Sequence, residues 1–323
     1  MSIISLLKSS AFMMTLALVV ALLTNFGGAF PAFLDADLRS NLTILVLAIM
    51  LTVSLSRIPY RNLNPVKYPK STARAVVLGL LVSAVIPLIG YYLLRDTAYS
   101  AQAMGLVFIA ATPFAASVVP LSYILNGDME HAARGTITVY VLSLLWIPFI
   151  IWLTLGHVVD MTNVIITVAE LIAVPLIVSR LLTKVGIPKD LMAVFLNCCI
   201  FFLVWLSVGS TNFIGIPAGI FVAFAIIAAL RSFGLGTAVE TIEKKSGISW
   251  SQRVTDILMT SYKNKGIAIA LCMAVLGPLG LAPMGMVAVA TSIVVEIMWV
   301  AFMDSVLFSR KRMDRELAAE QSV

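Results

Sequence analysis

The sequence predicts an all-α integral membrane fold, ten transmembrane helices arranged as two inverted five-helix repeats. Three observations carry that expectation. Of the 323 residues, 60% are hydrophobic and only 12% charged, and the mean hydropathy of +1.02 lies outside the soluble range. Apolar runs of about 20 residues recur from end to end, the length that crosses roughly 30 Å of hydrocarbon. The basic residues between them alternate by side, as they do when the number of spans is right.

The spans can be taken in order. The first, 10–31, follows Lys8 and has the outline of a signal peptide, with Gly27, Gly28 and Ala29 after its apolar run. A retained helix with a cytoplasmic N-terminus explains the same residues and also agrees with the loop charges. The second, 41–56, is the shortest, so Arg57 is expected to snorkel at its end. Spans 74–94, 102–125 and 134–155 complete the first half, residues 1–156, with Pro113 and Pro120 interrupting the fourth. His131, before the fifth span, and His157, after it, are read as solvated loop residues. The second half, 157–323, holds spans 162–182, 190–209, 214–233, 254–277 and 284–308, then a basic cytoplasmic tail. Gly215 and Gly219 form a GxxxG pair, read as packing. Cys198, Cys199 and Cys272 fall inside apolar spans, with no disulfide framework or zinc spacing.

On this topology one side collects 18 of the 22 basic residues, from Lys8 and the 57–74 loop through Arg134, Arg180, Lys184, Arg231 and Lys245 to the 310–315 tail. The other side has Arg39 and Arg95, while Lys263 and Lys265 lie within a span. The crowded side is expected to be cytoplasmic, with both termini there and the chain in the cell (inner) membrane. A net charge of +6 distributed over loops rather than gathered on one face argues against nucleic acid as a partner. The expected partners are the lipid bilayer and a small-molecule substrate. Five spans per half make the halves run in opposite senses, so any repeat is inverted, a habitual transporter design with its site at mid-depth.

The fourth span of each half breaks. In the first half it reads Ala111-Thr112-Pro113-Phe114-Ala115-Ala116-Ser117, where Pro113 removes a helical hydrogen bond and frees a carbonyl. In the second it reads Thr260-Ser261-Tyr262-Lys263-Asn264-Lys265-Gly266. Charged and amide groups at the bilayer centre cannot face lipid, so they line a wet cavity or pair with an acid. Glu170, midway along span six, and Glu296, midway along span ten, are the candidate acids, with Glu296 the nearer guess for Lys263. The candidate substrate- or ion-binding set is Thr112, Pro113, Ser117, Thr136, Glu170, Tyr262, Lys263, Asn264 and Glu296. The plain alternatives are a proline kink, a snorkelling Lys265 and a purely structural acid-base pair.

These broken segments also carry a resemblance. The stretch 110–133, AATPFAASVVPLSYILNGDMEHAA, and the stretch 259–271, MTSYKNKGIAIAL, resemble the broken fourth and ninth helices of the bile acid:sodium symporter family and the related arsenite-efflux permeases. Residues 43–63, TILVLAIMLTVSLSRIPYRNL, resemble the second helix and its loop. The resemblance implies a panel domain, and a core domain in which helices four and nine cross at their breaks. It also exposes departures. Where sodium-coupled members place Ser-Asn, and a Glu and a Gln, alignment puts Val118 and Val119, and Met259 and Lys263. Apolar side chains cannot coordinate a hard cation and a lysine repels one. Arsenite permeases carry a cysteine in the first break, where this chain has Thr112, Pro113 and Phe114, although its last span is more similar to theirs.

The function expected is secondary transport of a small, anionic organic solute by alternating access, without a cofactor and coupled to protons rather than sodium. Arsenite or organometalloid efflux is the alternative within transport. A channel and an intramembrane enzyme are the alternatives outside it, but no HExxH or GxSxG motif occurs.

Overall fold

Helix starts and stops in this chain follow caps as much as hydropathy. In a computed structural model, residues 6–56, 58, 64–183, 188–211, 213 and 216–321 are described, and among them the backbone is helical almost throughout, with no strand. Helix α1 (Ser10–Phe26) begins at Ser9, whose hydroxyl accepts from the Phe12 amide at 3.3 Å. Helix α2 (Ala36–Leu55) begins at Asp35, whose carboxylate accepts from the Leu38 amide at 2.8 Å. It therefore starts ahead of the expected position 41 and is not short. Asp37, Arg39 and Asn41 in its first turns hide that start from a hydropathy reading.

Helix α3 (Pro69–Leu94) contains a π-helical turn at Val77–Val82. The next span is divided into α4 (Ser100–Ala111) and α5 (Val118–Ile124). Helix α6 (Met129–Leu155) is capped by Asp128 and ends the first half; α7 (Met161–Leu182), α8 (Lys189–Gly209) and α9 (Ala218–Lys245) follow. A second divided span gives α10 (Trp250–Ser261) and α11 (Lys265–Leu276). Helix α12 (Ala282–Leu307) leads to the polar α13 (Arg310–Gln321).

Seven of these helices, α2, α3, α6, α7, α8, α9 and α12, are long and apolar enough to cross a membrane. Three shorter apolar helices fall where the first, fourth and ninth spans were expected. Helices α4 and α11 are short because the backbone leaves the helix between Thr112 and Ser117 and between Tyr262 and Asn264. Leu93, Leu145, Ile177 and Leu181 are each 70% or more exposed, which suits contact with acyl chains and not with water. The protein is a multi-pass membrane protein.

Three expectations are corrected. Helix α9 runs on to Lys245, so Arg231 is not a loop residue but is fully buried within the helix. The polar stretch that follows Arg231 made the span look finished there. His131 is not solvated: it lies in the first turn of α6, buried, between Ser71 (2.6 Å) and Asp256 (2.9 Å). Glu170 is exposed on α7 and joins none of the other candidate residues. Arg57, Arg61, Lys184 and Gly215 lie outside the described residues.

The helices pack as two groups, α1, α2, α7 and α8 in one, and α3 to α6 with α9 to α12 in the other. Within the second group α4 and α12 approach unusually closely. A Cβ on Gly105 would stand 2.0 Å from the Gly285 carbonyl oxygen, so only glycine fits at that contact. The groups meet chiefly where α2 and α7 lie along α11 and where α7 lies along α6.

Candidate functional site

Breaking a helix inside a membrane strands carbonyls at one half-helix end and amides at the other. Here the two breaks satisfy each other. The Ala115 amide donates to the Tyr262 carbonyl and the Asn264 amide to the Pro113 carbonyl, both at 2.9 Å, which makes Phe114 and Lys263 an isolated antiparallel bridge. Tyr140 of α6 locks the junction, donating to the Phe114 carbonyl at 3.2 Å and accepting from the Asn264 side-chain amide at 2.8 Å. The Asn264 side-chain oxygen in turn caps α11 by accepting from the Ile267 amide at 3.1 Å.

Each half-helix C-terminus at this crossing meets a cation. The Lys263 ammonium donates to the Thr112 carbonyl, and to those of Ala110 at 3.3 Å and Gly79 at 3.4 Å. Arg231 donates to the Ser261 carbonyl, the last of α10, at 3.0 Å, and also to the Glu296 carboxylate. Lys265 reaches Ser292 at 2.5 Å and Glu296 at 3.3 Å. Glu296 thus pairs with Arg231 and Lys265, not with Lys263. Among the described residues the crossing holds three buried cations, Arg231, Lys263 and Lys265, and one buried carboxylate, Glu296.

The candidate residues Thr112, Pro113, Tyr262, Lys263, Asn264 and Glu296 are all buried here. Ser117 is half-buried beside Tyr262 and hydrogen-bonded to it. Thr136 is buried on α6, but its hydroxyl returns to the Ala132 carbonyl of its own helix at 2.8 Å. Sequence reading missed Arg231, Tyr140 and Ser292. Arg231 left a usable signal, a basic residue directly after an apolar run, but Tyr140 and Ser292 had none.

The two described cavities lie away from the crossing. One, of about 110 Å³, sits between the helix groups, with Arg39 of α2 and Ser210 on one wall and Met273 and Met286 on the other. The second, of about 320 Å³, opens between α3 and α9 beside Arg74 and Glu243. Arg74 there pairs with Glu243 at 2.5 Å and with the buried Asp256 at 2.6 Å.

A family model described as Sodium Bile acid symporter family matches residues 42–230, more than half of the chain. The chain belongs to this family. No curated protein matches it. Membership in the sodium bile acid symporter family makes it a membrane transporter by class, and gives a frame for the substitutions at the crossing. At the four positions singled out by the resemblance, Val118 and Met259 are fully buried in an apolar cluster, Val119 packs against it, and Lys263 carries its own charge into the carbonyls.

Proposed function

We propose that this protein is a secondary transporter of a small organic anion, working by alternating access without sodium. The observation that carries the reading is the excess of buried positive charge at the crossing, Arg231, Lys263 and Lys265 against Glu296 alone. The Gly79, Ala110 and Thr112 carbonyls answer Lys263, but Arg231 and Lys265 leave one positive charge beyond Glu296, which a bilayer interior holds only where something anionic or aqueous answers it. A carboxylate solute arriving near Ser117 and Tyr262, the rim that is half-buried or hydrogen-bonded to it, supplies that answer. Ten spans in two inverted repeats, 1–156 and 157–323, are part of the same proposal. It is supported by the two divided spans, α4 with α5 and α10 with α11, which fall at the fourth span of each half. Movement of the group containing α1, α2, α7 and α8 past the crossing would expose it to each side in turn.

Purified protein in proteoliposomes tests this. Saturable uptake of a carboxylate, accelerated by the same solute trapped inside and indifferent to a sodium gradient, is the expected result. Uptake that never saturates and shows no counterflow would mean a channel. Movement of arsenite but of no carboxylate would move the assignment to metalloid efflux.

A further inference from the structure

Lys263 is held in a way that its sequence context does not explain. Its ammonium is 1% exposed in residue terms, yet among the described residues no carboxylate lies within ion-pair distance of it. Its partners are three main-chain carbonyl oxygens from two helices, Ala110 and Thr112 at the end of α4 and Gly79 in the π-helical turn of α3. Three N–H donors meet three oxygens, so the group is fully satisfied without an acid.

The enclosure has structural causes. Pro113 and the extended Thr112 stop α4 and release its last carbonyls. The π-helical turn brings Gly79 to the same spot, where its missing side chain makes room for the Phe114 ring: a Cβ on Gly79 would stand 2.5 Å from that ring. Phe114, fully buried, closes the cage on that side. A ring of main-chain carbonyls that converges on one positive centre, shut off from water, is the arrangement by which proteins strip and hold alkali cations. Here the positive centre is covalently attached. Negative charge that would compensate it is committed elsewhere, since Glu296 answers Arg231 and Lys265.

We infer that the carbonyl cage formed by Gly79, Ala110 and Thr112 is a monovalent-cation site whose permanent occupant is the Lys263 ammonium. Two consequences follow. The native crossing needs no free cation to hold α4, α3 and α11 together. Shortening and neutralising the side chain empties the cage, and Lys263→Gln, which also supplies an amide oxygen, turns it into a site for a free alkali cation. The inference deepens the sodium-independent reading above, but its test measures cation binding and not transport, so either can fail without the other.

The test is thermal unfolding of the purified protein in detergent, with lithium, sodium, potassium or choline chloride at equal ionic strength. Native protein is expected to melt at one temperature in all four. Lys263→Gln is expected to melt at least about 5 °C lower in choline and to recover most of that loss in one of the alkali salts. The variant is expressed and purified in parallel with sodium and with choline, so that folding itself is a readout. Recovery of folded variant only with sodium supports the inference in the same way as a shifted melt. Native protein stabilised by sodium over choline would overturn it, because the cage would then not be filled. A variant recovered in both salts that responds to no alkali cation would overturn it too, as would a variant recovered in neither.

Discussion

Glu296 shows how one residue can be identified correctly and paired wrongly. Its place midway along an apolar span marked it as the acid that answers a buried lysine, and it does so, but the lysine is Lys265. Along a regular helix residues 263 and 265 would lie about 200° apart, and the break separates them further, because Asn264 caps α11 and leaves Lys263 in extended backbone. Carbonyl partners such as those of Lys263 have no sequence signature, so no reading of side chains could have found them. The Arg231 to Glu296 contact also predicts a measurable asymmetry. Glu296→Gln strands two buried cations and is expected to cost about 3–5 kcal/mol, whereas Arg231→Met with Glu296→Leu removes the pair together and is expected to cost less. Thermal melts of the single and double variants in one detergent check this; equal losses would show that the contact is not what the single change disrupts.

At the level of elements, the long helices were legible because hydropathy and length alone define them. Their ends were less so, since polar residues inside a first or last turn look like loop, as at the start of α2 and in the second half of α9. Helix α13 was read only as a basic tail, but it is bound. Glu316 meets Arg253 of α10 at 2.7 Å and also Lys244 of α9, while Arg312 and Arg253 converge on Glu240. Burial opposes ionisation of Glu316, but the hydrogen bonds and charges of Lys244 and Arg253 outweigh it and hold the carboxyl at about 2. An unfolded glutamate titrates near 4.3, so the folded value is the lower one. The contribution of Glu316 to docking is therefore complete above about pH 4.3 and is lost as the pH falls from there through about 2. The protection of the α13 amides, relative to the intrinsic exchange rate at each pH, is expected to fall across that window, and Glu316→Gln is expected to release the helix already at neutral pH. Protection of α13 that is unchanged by the substitution would assign docking to the apolar contacts of Met313 and Leu317 instead.

For the whole molecule, the distribution of basic residues is what the expected orientation rests on, and the burial of Arg231 removes one residue from that tally without changing its direction. Cysteines placed at Lys67 and Lys245 in a cysteine-free background are expected to be shielded from an impermeant thiol reagent in intact cells, and cysteines at Thr97 and Leu279 to be labelled. The reverse pattern would invert the protein in the membrane. The division into two helix groups was implied only by resemblance, because the contacts that create it lie far apart along the chain. Asn25 of α1, for example, reaches the carbonyls of Gly209 and Thr211 at 2.8 and 2.7 Å, across more than half the sequence. The ion pairs that fasten α13 to α9 and α10 give this division an optical use. A fluorophore on the exposed side of α13 rides with one group, and a second beside Lys8, which is bonded to Asp190 of α8 at 2.7 Å, rides with the other. Energy transfer between the two dyes is then a ruler laid across the boundary between the groups: a distance that changes with added solute is what the proposed alternating access requires.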